Sequence, residues 1–205
     1  REDLHELKKT SDERRTEIQA GEVVAFEREE LIPQEDMVVV LSHLGYIKRV
    51  PLASYRKQRR GGKGIIGAET KETDFIERLI IASTHDHLMF FTNTGRVHWL
   101  KVYDLPALDR TARGKPIATI LGLKPDERIT STVSVKSFET GYLVMATARG
   151  LAKKTELSAY GNPRAGGIIA INLEEGDSLI EVATTTGRDQ VVLGTRDGMS
   201  IRFKE

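Results

Sequence analysis

The sequence predicts an all-β protein built from repeated, propeller-like blades, and three observations carry that expectation. Short apolar runs alternate with turn residues, a glycine-centred motif recurs at a near-constant interval, and helical periodicity is scarce after residue 30. Residues 1–15 set charged side chains around the sparse apolar pair Leu4 and Leu7, which predicts the end of a helix that packs against something outside this chain. Residues 1–21 are accordingly read as a short helical arm and linker, and residues 22–205 as the β domain.

From Glu22 onward the runs Met37–Leu41, Leu88–Phe91, Gly141–Met145 and Gln190–Leu193 read as strands. Four segments align: 40–49, 90–99, 145–154 and 193–202. Their glycines, Gly45, Gly95, Gly150 and Gly198, are spaced 50, 55 and 48 residues apart, each between two apolar runs. A hairpin turn with positive φ explains them, because a Cβ there is strained. A second element follows the first three glycines: a basic, glycine-containing loop running into a strand, at 60–66, 113–120 and 164–171. A turn and a third apolar run come next, as at Asp126–Ile129 and Gly176–Ile180. A period near 50 with about four strands per unit implies blades, at about 36–80, 81–132 and 133–182, with a partial fourth at 183–205. An array that stops after its fourth hairpin is truncated or open, and predicts an unpaired edge there.

The net charge of +1 conceals an uneven distribution. Residues 1–35 carry 6 Lys/Arg against 11 Asp/Glu, leaving 25 against 19 for the remainder. Between Gly45 and Gly64 lie Lys48, Arg49, Arg56, Lys57, Arg59, Arg60 and Lys63, with no acid. That is the steepest charge feature in the chain and predicts a polyanionic partner. At its centre stand Gln58, Arg59, Arg60, Gly61, Gly62, Lys63 and Gly64. Arginine forks fit phosphate oxygens, lysine adds a mobile point charge, and interleaved glycines let backbone N–H groups approach an anion. Such a loop grips phosphates and does not read base edges.

The heptapeptide Gln58–Gly64 matches, residue for residue, the box motif that marks the C-terminal domain family of the DNA gyrase A protein. Residues 12–18 resemble that family's junction with its coiled-coil arm, and 35–48, 84–87, 95–106 and 126–130 resemble its first three blades. The resemblance covers essentially the whole chain. It implies a β-pinwheel, in which neighbouring blades exchange strands and a basic rim bends and wraps double-stranded DNA around itself, without sequence specificity, for negative supercoiling by an A2B2 holoenzyme of gyrase A and gyrase B proteins. The family usually carries five or six blades, more than this chain supplies. An intact box separates the family from the A protein of topoisomerase IV, the nearest alternative; a propeller-like protein-interaction module is another. The implied DNA track runs through the box with Lys48, Arg49, Arg56 and Lys57, then through Arg113 and Lys115, and then Arg164. The domain is expected to be monomeric in isolation, cytoplasmic and associated with the nucleoid. ATP and Mg belong to other parts of the holoenzyme, so no cofactor is expected here.

Other patterns carry less. No apolar run approaches the ~18 residues of a membrane span, and the absence of cysteine excludes disulfides, thiolate metal sites and a cysteine nucleophile. Thr84–His87 holds two histidines and a carboxylate without a third ligand group nearby, so strand-entry polarity is preferred to a metal site. Trp99 and Tyr103 are read as packing residues rather than base-stacking ones. No nucleotide loop, nucleophile elbow or paired carboxylates are found, and none of Tyr46, Tyr55, Tyr103, Tyr142 or Tyr160 lies in a DNA-cleavage motif. No catalytic residue is expected.

Overall fold

The computed structural model describes residues 28–55, 74–164 and 166–205. The chain divides into two compact units, residues 1–31 and 32–205. The described part of the first is one 3₁₀ turn, Arg28–Leu31. The second consists of strands β1 (Asp36–Ser42), β2 (Tyr46–Pro51), β3 (Ile76–Ser83), β4 (His87–Thr92), β5 (Arg96–Lys101), β6 (Lys115–Pro116), β7 (Ile129–Val135), β8 (Tyr142–Thr147), β9 (Ala152–Glu156), β10 (Ile168–Ile169), β11 (Leu179–Thr185), β12 (Gln190–Gly194) and β13 (Ser200–Lys204), with one short helix, α1 (Ile117–Leu121), and three further 3₁₀ turns.

Each recurring glycine closes a hairpin as its spacing predicts. Gly45, Gly95, Gly150 and Gly198 have φ between 77° and 87°, and each donates its N–H to the carbonyl three residues earlier at 2.9–3.1 Å. This is the geometry of a type I turn completed by a left-handed glycine. An acid from the third apolar run caps the tip: Asp74 Oδ1 accepts from the Leu44 N–H at 3.0 Å, Glu127 Oε1 from the Thr94 hydroxyl at 3.0 Å, and Asp177 Oδ1 from the Arg149 N–H at 3.0 Å.

The hairpins sit in four sheets, ordered β3-β1-β2-β6, β7-β4-β5-β10, β11-β8-β9 and β12-β13. Each of the first three repeats therefore supplies three strands to its own sheet, while the strand after a basic loop joins the preceding one. β6 pairs antiparallel with β2, and β10 with β5. This is the strand exchange of a pinwheel, and sheets consequently do not coincide with sequence repeats: residues 115–116 complete the sheet begun at residue 36. Among the described residues β12 and β13 pair only with each other, the unpaired edge expected at the last hairpin.

Period-two alternation of side chains explains why β4 is buried from Leu88 to Thr92. Leu88 and Phe90 enter a core shared with Met37, Val39, Leu41 and Ile47 of the first sheet. Met89 and Phe91 point oppositely, into a core shared with Leu143, Met145, Leu179 and Val182 of the third. Each core thus lies between successive sheets, and β4 has no solvent face. Phe90 is 0% exposed. Its replacement by alanine is expected to lower stability by about 3–5 kcal/mol, read as a shift in the urea midpoint.

The tip acids set the response to acid. Burial opposes the charge of Asp74, but hydrogen bonds from Leu44, Ser42 and Phe75 and the Arg113 charge outweigh it and lower its pKa. Asp177 is likewise lowered, burial being outweighed by Thr147, Ser178 and Arg149. Folded pKa values below the unfolded ones contribute stability that is fully present above pH ~4 and is lost as pH falls through the folded values. Urea midpoints should therefore fall below pH ~4, and less steeply in Asp74→Asn and Asp177→Asn variants.

Candidate nucleic-acid interface

The basic, glycine-containing loop is the place where one repeat is fastened to the one before. For β6 to reach β2 and β10 to reach β5, backbone must pass backbone closely. Gly114 has φ +101° and a Cβ there would lie 2.8 Å from the Ile47 carbonyl oxygen; at Gly167, φ +70°, it would lie 2.5 Å from that of Val97. Both contacts exclude a side chain. The strand is then pinned by the Ile117 N–H donating to the Gly45 carbonyl and the Ala170 N–H to the Gly95 carbonyl, each at 2.8 Å.

This register corrects the alignment of basic residues suggested by sequence. Lys115 pairs with Ile47 and Ile168 with Val97, so Lys115 corresponds to Ile168 and Arg113 to Gly166. Arg164 falls two residues earlier, at the position of Thr111. Arg113 and Arg164 belong to the same loop of successive repeats but not to the same site within it.

Side chains beside each tip glycine complete the fastening. Immediately after the glycine, Tyr46 carries the Arg113 guanidinium 3.7 Å above its ring centroid, a cation–π contact. In the next repeat Arg96 takes that place and donates from Nη2 to the Gly166 carbonyl at 2.7 Å and the Gly167 carbonyl at 3.1 Å. Three residues after the glycine stand Lys48 and His98, each under the segment donated to its sheet, and the exposed Lys153, which reaches a carbonyl of the segment that its own repeat donates to the preceding sheet. Lys48 donates from Nζ to the carbonyls of Asp109 at 3.3 Å, Ala112 at 2.6 Å and also Arg110. Lys153 donates to the Ala170 carbonyl at 2.7 Å. His98 is buried beneath Gly167, where a Cβ would meet its Nδ1 at 2.9 Å. Burial lowers the His98 pKa; Glu127 opposes this and Arg96 adds to it.

Lys48, expected on the DNA track, is instead structural. It is 1% exposed, burial pulls its pKa down against the opposing Asp109 charge, and its ammonium is engaged by three carbonyls. Arg49 is half-buried, with Nε donating to the Leu105 carbonyl at 2.9 Å. Arg113 is half-buried against Tyr46, whereas Lys115 and Arg164 are exposed. The loop thus brings Arg113 and Lys115 to one edge of the first sheet and sets Arg164 on the corresponding loop of the next. Arg56, Lys57 and the box residues Gln58, Arg59, Arg60, Gly61, Gly62, Lys63 and Gly64 lie outside the described residues. Sequence reasoning overlooked Tyr46 and Arg96 as loop-holding residues; their shared place directly after a tip glycine is the signal that marks them.

The remaining candidates have structural roles. The Thr84 hydroxyl donates to the Pro33 carbonyl at 2.8 Å, His85 Nε2 lies 2.9 Å from the Ile32 carbonyl, and Asp86 accepts from the Ser83 N–H at 2.9 Å. Trp99 packs on the second core and Tyr103 meets His85 edge-on. No group of three or more His, Cys, Asp or Glu able to hold a metal occurs among the described residues. Nor is any helix among them long and apolar enough to cross a membrane.

The profile of the family described as "DNA gyrase C-terminal domain, beta-propeller" matches residues 36–83, 86–136 and 141–186. The chain belongs to this family. The three matched segments follow the three repeats whose hairpins and third strands are described above. The DNA gyrase A protein of Halalkalibacterium halodurans is 49% identical over 100% of this chain and 25% of its own length; that of Salmonella typhimurium is 52% identical over 95% and 22%. The chain therefore spans about a quarter of the curated relatives it matches. Among solved structures, the C-terminal domain of DNA topoisomerase IV superposes with a TM-score of 0.71 at 31% identity, covering 85% of this chain and 53% of that one. A DNA gyrase A C-terminal domain superposes at 0.64 with 24% identity, covering 83% and 55%, and shows the fold alone.

The Lys48 assignment is testable. Lys48→Met should cost about 1–3 kcal/mol in urea unfolding, because three part-buried carbonyls lose a donor. The variant's DNA affinity should keep the parental dependence on salt, since no surface cation is removed.

Proposed function

We propose that this gyrase-family domain is a non-catalytic DNA-binding module that holds duplex DNA by its phosphates, bends and wraps it around itself without reading its sequence, and so serves negative supercoiling by a holoenzyme of gyrase A and gyrase B proteins in the bacterial cytoplasm. One observation carries this reading: cations of successive repeats occupy the loop that feeds the donated strand, on the same edge of each sheet. Arg113 and Lys115 stand there on the first sheet and Arg164 on the second. The corresponding loop of the first repeat holds the box, with Arg59, Arg60 and Lys63. Tyr46 under Arg113 presents that guanidinium in a fixed plane, which lowers the entropy lost when it meets a phosphate.

Bending a short duplex costs on the order of 1–6 kcal/mol, because DNA is stiff over ~150 bp. Cations on several repeats must share that cost. None of Tyr46, Tyr55, Tyr103, Tyr142 and Tyr160 lies in a DNA-cleavage motif, which supports a role without strand cleavage. ATP and Mg act, in this reading, elsewhere in the holoenzyme.

A second reading, the equivalent domain of topoisomerase IV, is favoured by the higher TM-score and identity to that solved structure. The intact box of residues 58–64 favours gyrase.

Ligation of nicked plasmid in the presence of the chain tests the proposal. A change in linking number is expected from chiral wrapping, and retention of DNA without such a change refutes wrapping. If about 6–10 phosphates are neutralised, affinity should fall by about 10³–10⁵ between 50 and 200 mM salt. Replacing Arg113, Lys115 and Arg164 by alanine should flatten the log–log salt slope by about 2–3. Alanine at Arg59, Arg60 and Lys63 should abolish the linking-number change.

A further inference from the structure

The edge opposite the basic loops carries an unassigned feature. Arg78 on β3, Ser131 on β7 and Glu181 on β11 hold the same register position in three successive sheets. They pair opposite Leu41, Phe91 and Ala146 respectively, each four residues before its tip glycine. In all three sheets a bulge adjoins the position, and a bulge re-aims neighbouring side chains.

The three side chains meet. Arg78 Nη2 donates to Glu181 Oε2 at 3.0 Å and to the Thr130 carbonyl at 2.9 Å. The Ser131 hydroxyl, on a residue 0% exposed, lies 2.5 Å from Glu181 Oε1 and 3.1 Å from the Val182 carbonyl. Burial disfavours the charge of Glu181, yet Ser131, Arg78 and the Val182 N–H together keep its pKa below the usual value.

The decisive contact is the one between Arg78 and Glu181, because it joins the first sheet to the third across the second. Sheets packed face to face are ~10 Å apart, so flat stacking would separate the first and third by about 20 Å. An extended arginine, an extended glutamate and the contact between them span at most about 15 Å. The three sheets must therefore converge at the β3, β7 and β11 edge and fan out toward the edge bearing Arg113, Lys115 and Arg164.

We infer that the Arg78, Ser131 and Glu181 ladder is a positioning device that fixes the angle between successive sheets, and with it the curvature of the path along which the opposite edge presents its cations to DNA. The inference rests on the DNA-bending reading and adds to it the residues that set the bend. They sit on the edge strand opposite the one that carries Arg113, Lys115 and Arg164, so a small change of angle there is magnified across the sheet.

The test is linking-number change per bound chain in nicked-plasmid ligation, at saturating protein, with affinity and salt slope measured in parallel. Glu181 is more than half exposed as a side chain, at 55%, so Glu181→Ala leaves the buried core intact. It should reduce the linking-number change per bound chain by about two-fold at parental salt slope, since it alters the bend and not the phosphate contacts. Arg78→Leu should do the same, while Glu181→Gln, whose single amide oxygen replaces only one of the two carboxylate acceptors used by Ser131 and Arg78, should fall between Glu181→Ala and the parent. A parental linking-number change in Glu181→Ala and Arg78→Leu overturns the ladder alone. A parent chain that binds DNA and shifts no linking number overturns the wrapping reading and the ladder with it.

Discussion

Two short backbone pairings hold this fold together: Lys115–Pro116 against β2 and Ile168–Ile169 against β5. A hairpin with one strand added on a single side leaves a row of unpaired N–H and C=O groups on the other, and such an edge invites wrong partners. The donated strand covers that edge with chain from the next repeat. Its position requires glycine where it passes Ile47 and Val97, and it is held by whichever long polar side chain follows the tip glycine. Sheet order, core location and placement of the surface cations follow from that pairing.

The interior polar chemistry serves the same junction. The buried Lys48 satisfies carbonyls of the segment donated to its sheet, which has too few strand partners to satisfy its own. An apolar residue there would leave those acceptors orphaned, and a buried orphan acceptor costs more than the net worth of a typical hydrogen bond. In the middle repeat histidine stands in the place of Lys48, close beneath Gly167, where no side chain could intervene.

Much of this was legible in the amino-acid order. The glycines at 45, 95, 150 and 198 announced hairpins because only one turn chemistry suits that spacing and residue, and β4 announced its two-sided burial as an unbroken apolar run. The role of Lys48 was illegible: its acceptors lie more than sixty residues away at Asp109, Arg110 and Ala112, and a lysine in a hairpin reads as solvated. The offset between Arg113 and Arg164 was illegible because a glycine-rich loop can slip by two residues without disturbing any apolar pattern. Only the close approach at Gly114 and Gly167 fixes it. The bridge from Arg78 to Glu181 was hidden too, since it joins residues two repeats apart.

Strand donation also governs the timetable of folding. Hairpin β1–β2 can close in ~1–10 μs, yet Tyr46 must wait for Pro116 to be synthesised before its outer side is paired. At ribosomal speeds of ~5–20 residues per second, the intervening chain takes several seconds to emerge. Each nascent sheet therefore spends that interval with an open flank, exposed to chaperones and to misassembly. Losing one repeat from such an array would leave its predecessor unfinished as well, so repeats of this kind are not freely interchangeable modules.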